Sequence, residues 1–313
     1  MKTNITTEKK LNRTGWKVLF LSLLALAGAL VVQVVGYITA VLLNVPEEGL
    51  AFVTIAEAIT AGTTAVAMIA LGGAAWLKPS WADVKEMFRT GWPIVAANVA
   101  LLVFAGISFV TEGSTLATGW LPNLAVTTFL CLCIGISEEV MYRGVLLNAV
   151  LAVTGRSHRG TMAAIAIISL LFGLAHVSIT TDFATPFLAT QGVLKIIQTG
   201  LFSVIMCSVV LRTHRLGGAS IFHGLSDFLL MVPTLVMAGE QLTTNYVSAG
   251  DEGISTIVLY LVIIAFYLPM AIRALRKMHR EHVTYRGVFM EHASTTQQHA
   301  QLPAAPANTP NAA

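Results

Sequence analysis

Charge is what this sequence has least of. Asp, Glu, Lys and Arg make up 11% of its 313 residues, less than half the ~25% of an ordinary soluble domain, which excludes a soluble globular chain. Cysteine is scarce as well: Cys131, Cys133 and Cys207 each lie inside an apolar run and form no CxxC pair. They read as apolar core filling, so no thiolate metal site is expected. No polar linker or fixed-period repeat divides the chain before its tail, which leaves a single domain. A basic patch is missing too. The net charge of +3 comes from residues scattered through short loops and both ends, so they serve as topology signals and no nucleic-acid partner is expected.

What fills the sequence instead is a series of apolar runs of about 20 residues, the length that crosses a bilayer core as helix. Hydrophobic residues make up 55% of the chain and the mean hydropathy is +0.74. The fold class is therefore all-α, a polytopic transmembrane helical bundle with the lipid bilayer as its surroundings. Eight spans are expected, at about 16–42, 51–77, 92–111, 122–153, 160–178, 191–212, 215–238 and 254–276. The first is too long for the ~7–15-residue apolar region of a secretory signal, so it is expected to be retained. The segment KPSWADVKEMFRTGW, between the second and third spans, reads as an amphipathic helix on the membrane surface. Residues 1–290 form the membrane domain, and the polar, Ala/Pro-rich stretch 291–313 a disordered tail.

With the N-terminus placed in the cytoplasm, all of the 19 Lys and Arg residues except Arg143 and Lys195 fall in inner segments. The outer loops carry acids instead: Glu47, Glu48, Glu112, Asp182, Glu240, Asp251 and Glu252. This asymmetry predicts both termini in the cytoplasm and a multi-pass protein of a cell membrane, taken as a bacterial plasma membrane.

Arg143 breaks the pattern. The stretch CIGISEEVMYRGVLLNAVLAV, residues 133–153, is apolar on both sides of Glu138, Glu139 and Arg143, and a turn signal comes only at TGRSHRG. One long helix, tilted or bent, puts Glu138 roughly 25 Å of helix from its cytoplasmic end. His176, in SLLFGLAHV, lies at a similar ~24 Å, with His223 and Asp227, in SIFHGLSDFLL, at about 12 and 18 Å. Three helices thus bring ionisable groups into one broad layer of the bilayer. At about 2.5–3.5 kcal/mol for each charge at a helix centre, Glu138, Glu139, Arg143 and Asp227 cost roughly 10 kcal/mol before pairing. A whole domain is stable by only about 5–15 kcal/mol. Pairing must offset much of that cost, and a function accounts for the remainder.

The spacings suggest how. Glu139 and Arg143 are i,i+4 and can meet on one helix face. Glu138 points about 100° away and is free to face a cavity. His223 and Asp227 are also i,i+4, so Asp227 can orient the imidazole or share a ligand with it. Phe172, one turn before His176, supplies an apolar wall. A carboxylate beside two histidines suits general-base activation of water. Neutral imidazoles with a carboxylate, here His176, His223 and Asp227, also suit a divalent metal such as zinc. Either chemistry, with the metal or without it, supports peptide hydrolysis. Glu57 is expected to reach headgroups or water outside the site, and Lys195 to extend its stem to the outer interface.

The three segments EEVMYR (138–143), FGLAH (172–176) and HGLSD (223–227) resemble the EExxxR, FxxxH and HxxxN/D motifs of the CPBP family of intramembrane proteases, the CAAX prenyl endopeptidase and bacteriocin-processing group. The resemblance covers about 120–235. It implies a membrane-embedded endopeptidase of about eight helices that cleaves a membrane-associated protein or peptide. Glu138 would activate water, with Glu139, Arg143, His176, His223 and Asp227 completing the site. The family's third motif often ends in Asn, and Asp227 departs from it by adding a carboxyl group. Two other classes compete. A catalytically silent bacteriocin-immunity or scaffold protein of the same fold has no need of Glu138, His176 and His223, which are all present. A proton-coupled transporter would show paired Gly/Pro-broken helices in two halves, a pairing the sequence does not display.

Overall fold

The computed structural model describes residues 2–42, 49–155, 157–242 and 246–290, with the backbone alone for 2–13 and 40. The expected disordered tail, 291–313, and the outer acids Glu47 and Glu48 lie outside the described residues. Among those residues the regular elements are helical: α1 (Lys2–Leu42), α2 (Leu50–Ala70), α3 (Ala74–Leu77), α4 (Trp81–Thr111), α5 (Trp120–Glu138), α6 (Leu147–Thr154), α7 (His158–Leu174), α8 (Pro186–Thr213), α9 (Gly217–Met231) and α10 (Gly250–Arg280). A π-helical segment, Glu139–Leu146, joins α5 to α6, and a second, Val232–Ala238, extends α9.

Among the described residues seven stretches are long and apolar enough to cross a membrane, including the continuous helix Trp120–Thr154. The chain is a multi-pass membrane protein. The remaining expected span is α7, whose 17 residues cover about 25 Å of helix, short of a ~30 Å hydrocarbon core. It stops at Leu174 and gives way to a turn, in which the buried Asp182 carboxylate accepts from the Ser178 N–H at 3.0 Å.

The amphipathic segment expected on the membrane surface is instead the first part of α4, which runs unbroken from Trp81 to Thr111. Its buried residues Met87, Gly91, Ile94 and Asn98 repeat at helical spacing across the expected junction, and α4 lays this face on α9. A Ser80–Asp83 capping box fixes the start of α4. The other Asp83 oxygen accepts from Gly218 N–H at 2.6 Å, joining α4 to the first turn of α9.

Glycines set the closest crossings. A methyl group on Gly224 would stand 2.6 Å from the Cys131 carbonyl oxygen, and one on Gly135 would strike the Ser220 carbonyl. Thus α5 and α9 cross with their backbones in contact, as small residues allow in membranes. A methyl on Gly173 would likewise stand 2.6 Å from the Ile196 carbonyl oxygen, where α7 crosses α8. These two crossings draw the ends of α5, α7 and α9 together, and the buried polar groups lie there.

Candidate active site

The backbone widens into its π-helical segment at Glu139. Such i→i+5 turns shift backbone groups out of α-helical register and recur at functional sites. Asn148 takes up two of the displaced carbonyls, donating to Gly144 O at 2.7 Å and Arg143 O at 3.3 Å. Within this turn Arg143 Nη1 donates to Glu139 Oε1 at 3.0 Å, both side chains having 0% exposure. The Arg143 guanidinium carbon also stands 4.1 Å from the Phe172 ring centre. That cation–π contact serves a cation taken out of water.

The same Glu139 Oε1 lies 2.8 Å from His223 Nδ1. A carboxylate can only accept, so Nδ1 carries a proton and donates it. The His223 Nε2 faces the other acids, with Glu138 Oε2 at 3.5 Å and Asp227 Oδ2 at 3.7 Å. The i,i+4 spacing lets Asp227 orient His223 or share a ligand with it. The shorter contact instead comes from Glu139, because the glycine crossing sets α5 directly against α9.

Glu138 turns away from this pair. Its side chain keeps 24% exposure and lines a cavity of about 470 Å³ together with Phe172, His176, His223 and Asp227. His176 sits just past the end of α7 with Nδ1 2.7 Å from the Phe172 carbonyl oxygen. The carbonyl only accepts, so Nδ1 donates and Nε2 of the neutral ring is left as an acceptor. Phe172 is the shared wall: its ring centre is 4.7 Å from that of His176 and 6.0 Å from that of His223. All six candidate residues are therefore brought together, with Glu138, His176, His223 and Asp227 on the cavity and Glu139 and Arg143 behind it.

Two side chains that their sequence positions assign to the membrane interface line the cavity instead. Glu57 accepts from Ser137 Oγ at 3.0 Å. Lys195 directs its ammonium inward, 4.0 Å from the Tyr246 ring centre. Lys195 carried a signal, being one of two basic residues outside the inner segments. Tyr246 carried none, since it enters from the connection ahead of α10 with no motif around it. Burial, followed by the charges of Glu138 and Asp227, pushes its phenol up to about 12, so it stays a neutral hydroxyl able to donate.

The residue types also allow a metal at His176, His223 and Asp227. Among the described residues, however, no three His, Cys, Asp or Glu side chains are grouped as ligands of one ion. His223 and Asp227 approach to 3.7 Å, and both line the cavity with His176 and Glu138.

Residues 118–229 match the family model of the type II CAAX prenyl endopeptidases, Rce1-like. That segment contains EEVMYR, FGLAH and HGLSD, so the match agrees with the resemblance those motifs carry. No curated protein and no solved structure matches the chain.

Proposed function

We propose, from the Rce1-like domain at residues 118–229, that this chain is an intramembrane endopeptidase that cleaves a membrane-associated protein or peptide with water activated by Glu138. One observation carries the reading: two adjacent carboxylates are put to different uses. Glu139 is locked through one oxygen between Arg143 and His223, while Glu138 lines the cavity with His223 Nε2 at 3.5 Å.

In this reading the Glu138 carboxylate takes a proton from water as the oxygen adds to the scissile carbonyl carbon. The carboxylic acid then returns that proton to the amine nitrogen as the C–N bond breaks. His176 Nε2, held as an acceptor, positions the water. His223 Nε2, beside both Glu138 and Asp227, tunes the proton affinity of the base. The cavity is walled by Glu57 near the start of α2, Lys195 in the first third of α8, and Thr234 and Glu240 beyond α9. By the charge asymmetry these are outer ends, so substrate enters from the non-cytoplasmic side of a bacterial plasma membrane.

The test is cleavage of membrane peptides by the purified protein in lipid vesicles, with Glu138→Gln as the matched control. New amino termini that need Glu138 support the reading. Equal cleavage by the folded variant removes Glu138 from the chemistry.

A further inference from the structure

A second cavity, of about 570 Å³, opens where α7 begins and α10 ends. Both helices pack along α8 and leave a groove between their ends. One wall is a face of α10 bearing Arg273, Arg276 and Arg280, at i, i+3 and i+7 spacing. The other wall brings His158, the first residue of α7. His158 Nε2 lies 3.0 Å from His279 Nδ1, a contact that sets the distance between the two walls. Met162 contributes an apolar floor.

The charge here differs from that of a neighbouring cluster at the same end of the bundle. Nearby, Glu86 collects Arg89, Arg212 and Lys277. Among the described residues no carboxylate lines the groove, and none of its three arginines has an acid within ion-pair reach. Three arginines share this groove with no counterion among the described residues, beside an apolar floor, at the end of a helix that crosses the membrane. That is the level at which phospholipid headgroups lie. Guanidinium forks match phosphate oxygens in pairs, and basic pockets between membrane helices hold anionic headgroups.

We propose that this groove binds the phosphate of an anionic membrane phospholipid, with an acyl chain against Met162. The bound lipid would bridge α7 and α10, which meet mainly through α8. It acts independently of the protease reading, because no residue of the groove lines the Glu138 cavity.

The experiment reconstitutes the full chain in nanodiscs of phosphatidylcholine, with or without phosphatidylglycerol. Native mass spectrometry then counts the lipid retained after transfer to detergent. Phosphatidylglycerol is expected to be retained in preference to phosphatidylcholine. Its affinity should fall roughly 100-fold in Arg273→Gln/Arg276→Gln/Arg280→Gln, at several-fold for each arginine. An unchanged Tm of the variant in phosphatidylcholine alone certifies its fold; should the triple variant not fold, Arg276→Gln, an exposed position, is expected to show a several-fold loss. Equal retention of the two lipids, or full retention by a folded variant, overturns the proposal. Displacement of phosphatidylglycerol by inorganic phosphate at comparable concentration also overturns it, and assigns the groove to a soluble anion.

Discussion

Glu139 Oε1 lies 2.8 Å from His223 Nδ1 while binding Arg143 Nη1 at 3.0 Å on its own helix. One oxygen therefore ties the π-helical segment to α9, and a single fully buried carboxylate fixes both the tautomer of the imidazole and the position of the arginine. Of the two adjacent glutamates, Glu138 is thereby left to face the cavity.

Arg143→Ala would leave Glu139 as a buried carboxylate with no cation of its own. Breaking a buried pair from one side costs about 3–5 kcal/mol, a large part of the ~5–15 kcal/mol that holds a domain together. The yield of monodisperse protein and its Tm in detergent are both expected to drop sharply. Normal yield with an unchanged Tm would mean that the pair does not hold the site.

Gly224→Val places a side chain where the Cys131 carbonyl oxygen stands 2.6 Å from even a methyl group. Separating α5 from α9 should lengthen the Glu139–His223 contact and lower both Tm and cleavage. Gly106→Val, on α4 with nothing within 4 Å of its added methyl, is the control and should behave as wild type. Equal behaviour of the two variants would refute the crossing as the source of the site's geometry.

Much of this was readable in the sequence, for reasons that are local. The Trp120–Thr154 helix follows from an apolar run with no turn signal before 154. The Glu139–Arg143 pair and the outward turn of Glu138 follow from residues per turn. The contacts that the sequence did not reveal span 50 to 85 residues of chain. Glu139 rather than Asp227 grips His223 because Gly135 and Gly224 let two backbones touch. Lys195 turns inward because Tyr246, in a distant connection, offers it an aromatic face. The continuity of α4 was hidden by the Lys, Trp and Glu residues of its first turns, which look like a surface helix until its buried stripe is followed through Gly91 to Asn98.

If Glu138 and the two imidazoles supply the chemistry alone, as proposed, cleavage is expected to persist in a strong zinc chelator. Assay before and after chelation, followed by metal analysis of the protein, checks this. Loss of activity that is restored by stoichiometric zinc would show that His176, His223 and Asp227 rearrange into a metal site.

Outer access to the cavity can be read by labelling. Gln241 lines the cavity mouth, and the native Cys131, Cys133 and Cys207 are buried free thiols. Gln241→Cys should therefore react with a membrane-impermeant maleimide in intact cells. Reaction only after the membrane is opened would place the cavity on the cytoplasmic side and reverse the route of the substrate.

The most direct measurement compares peptide termini in membranes of cells expressing wild-type protein or Glu138→Gln at matched, folded levels. The Glu138 assignment predicts a set of new cleaved ends in the wild-type membranes that falls at least 100-fold with the variant, the usual scale for losing a general base. The same cleaved ends at the same abundance in both membranes would contradict it.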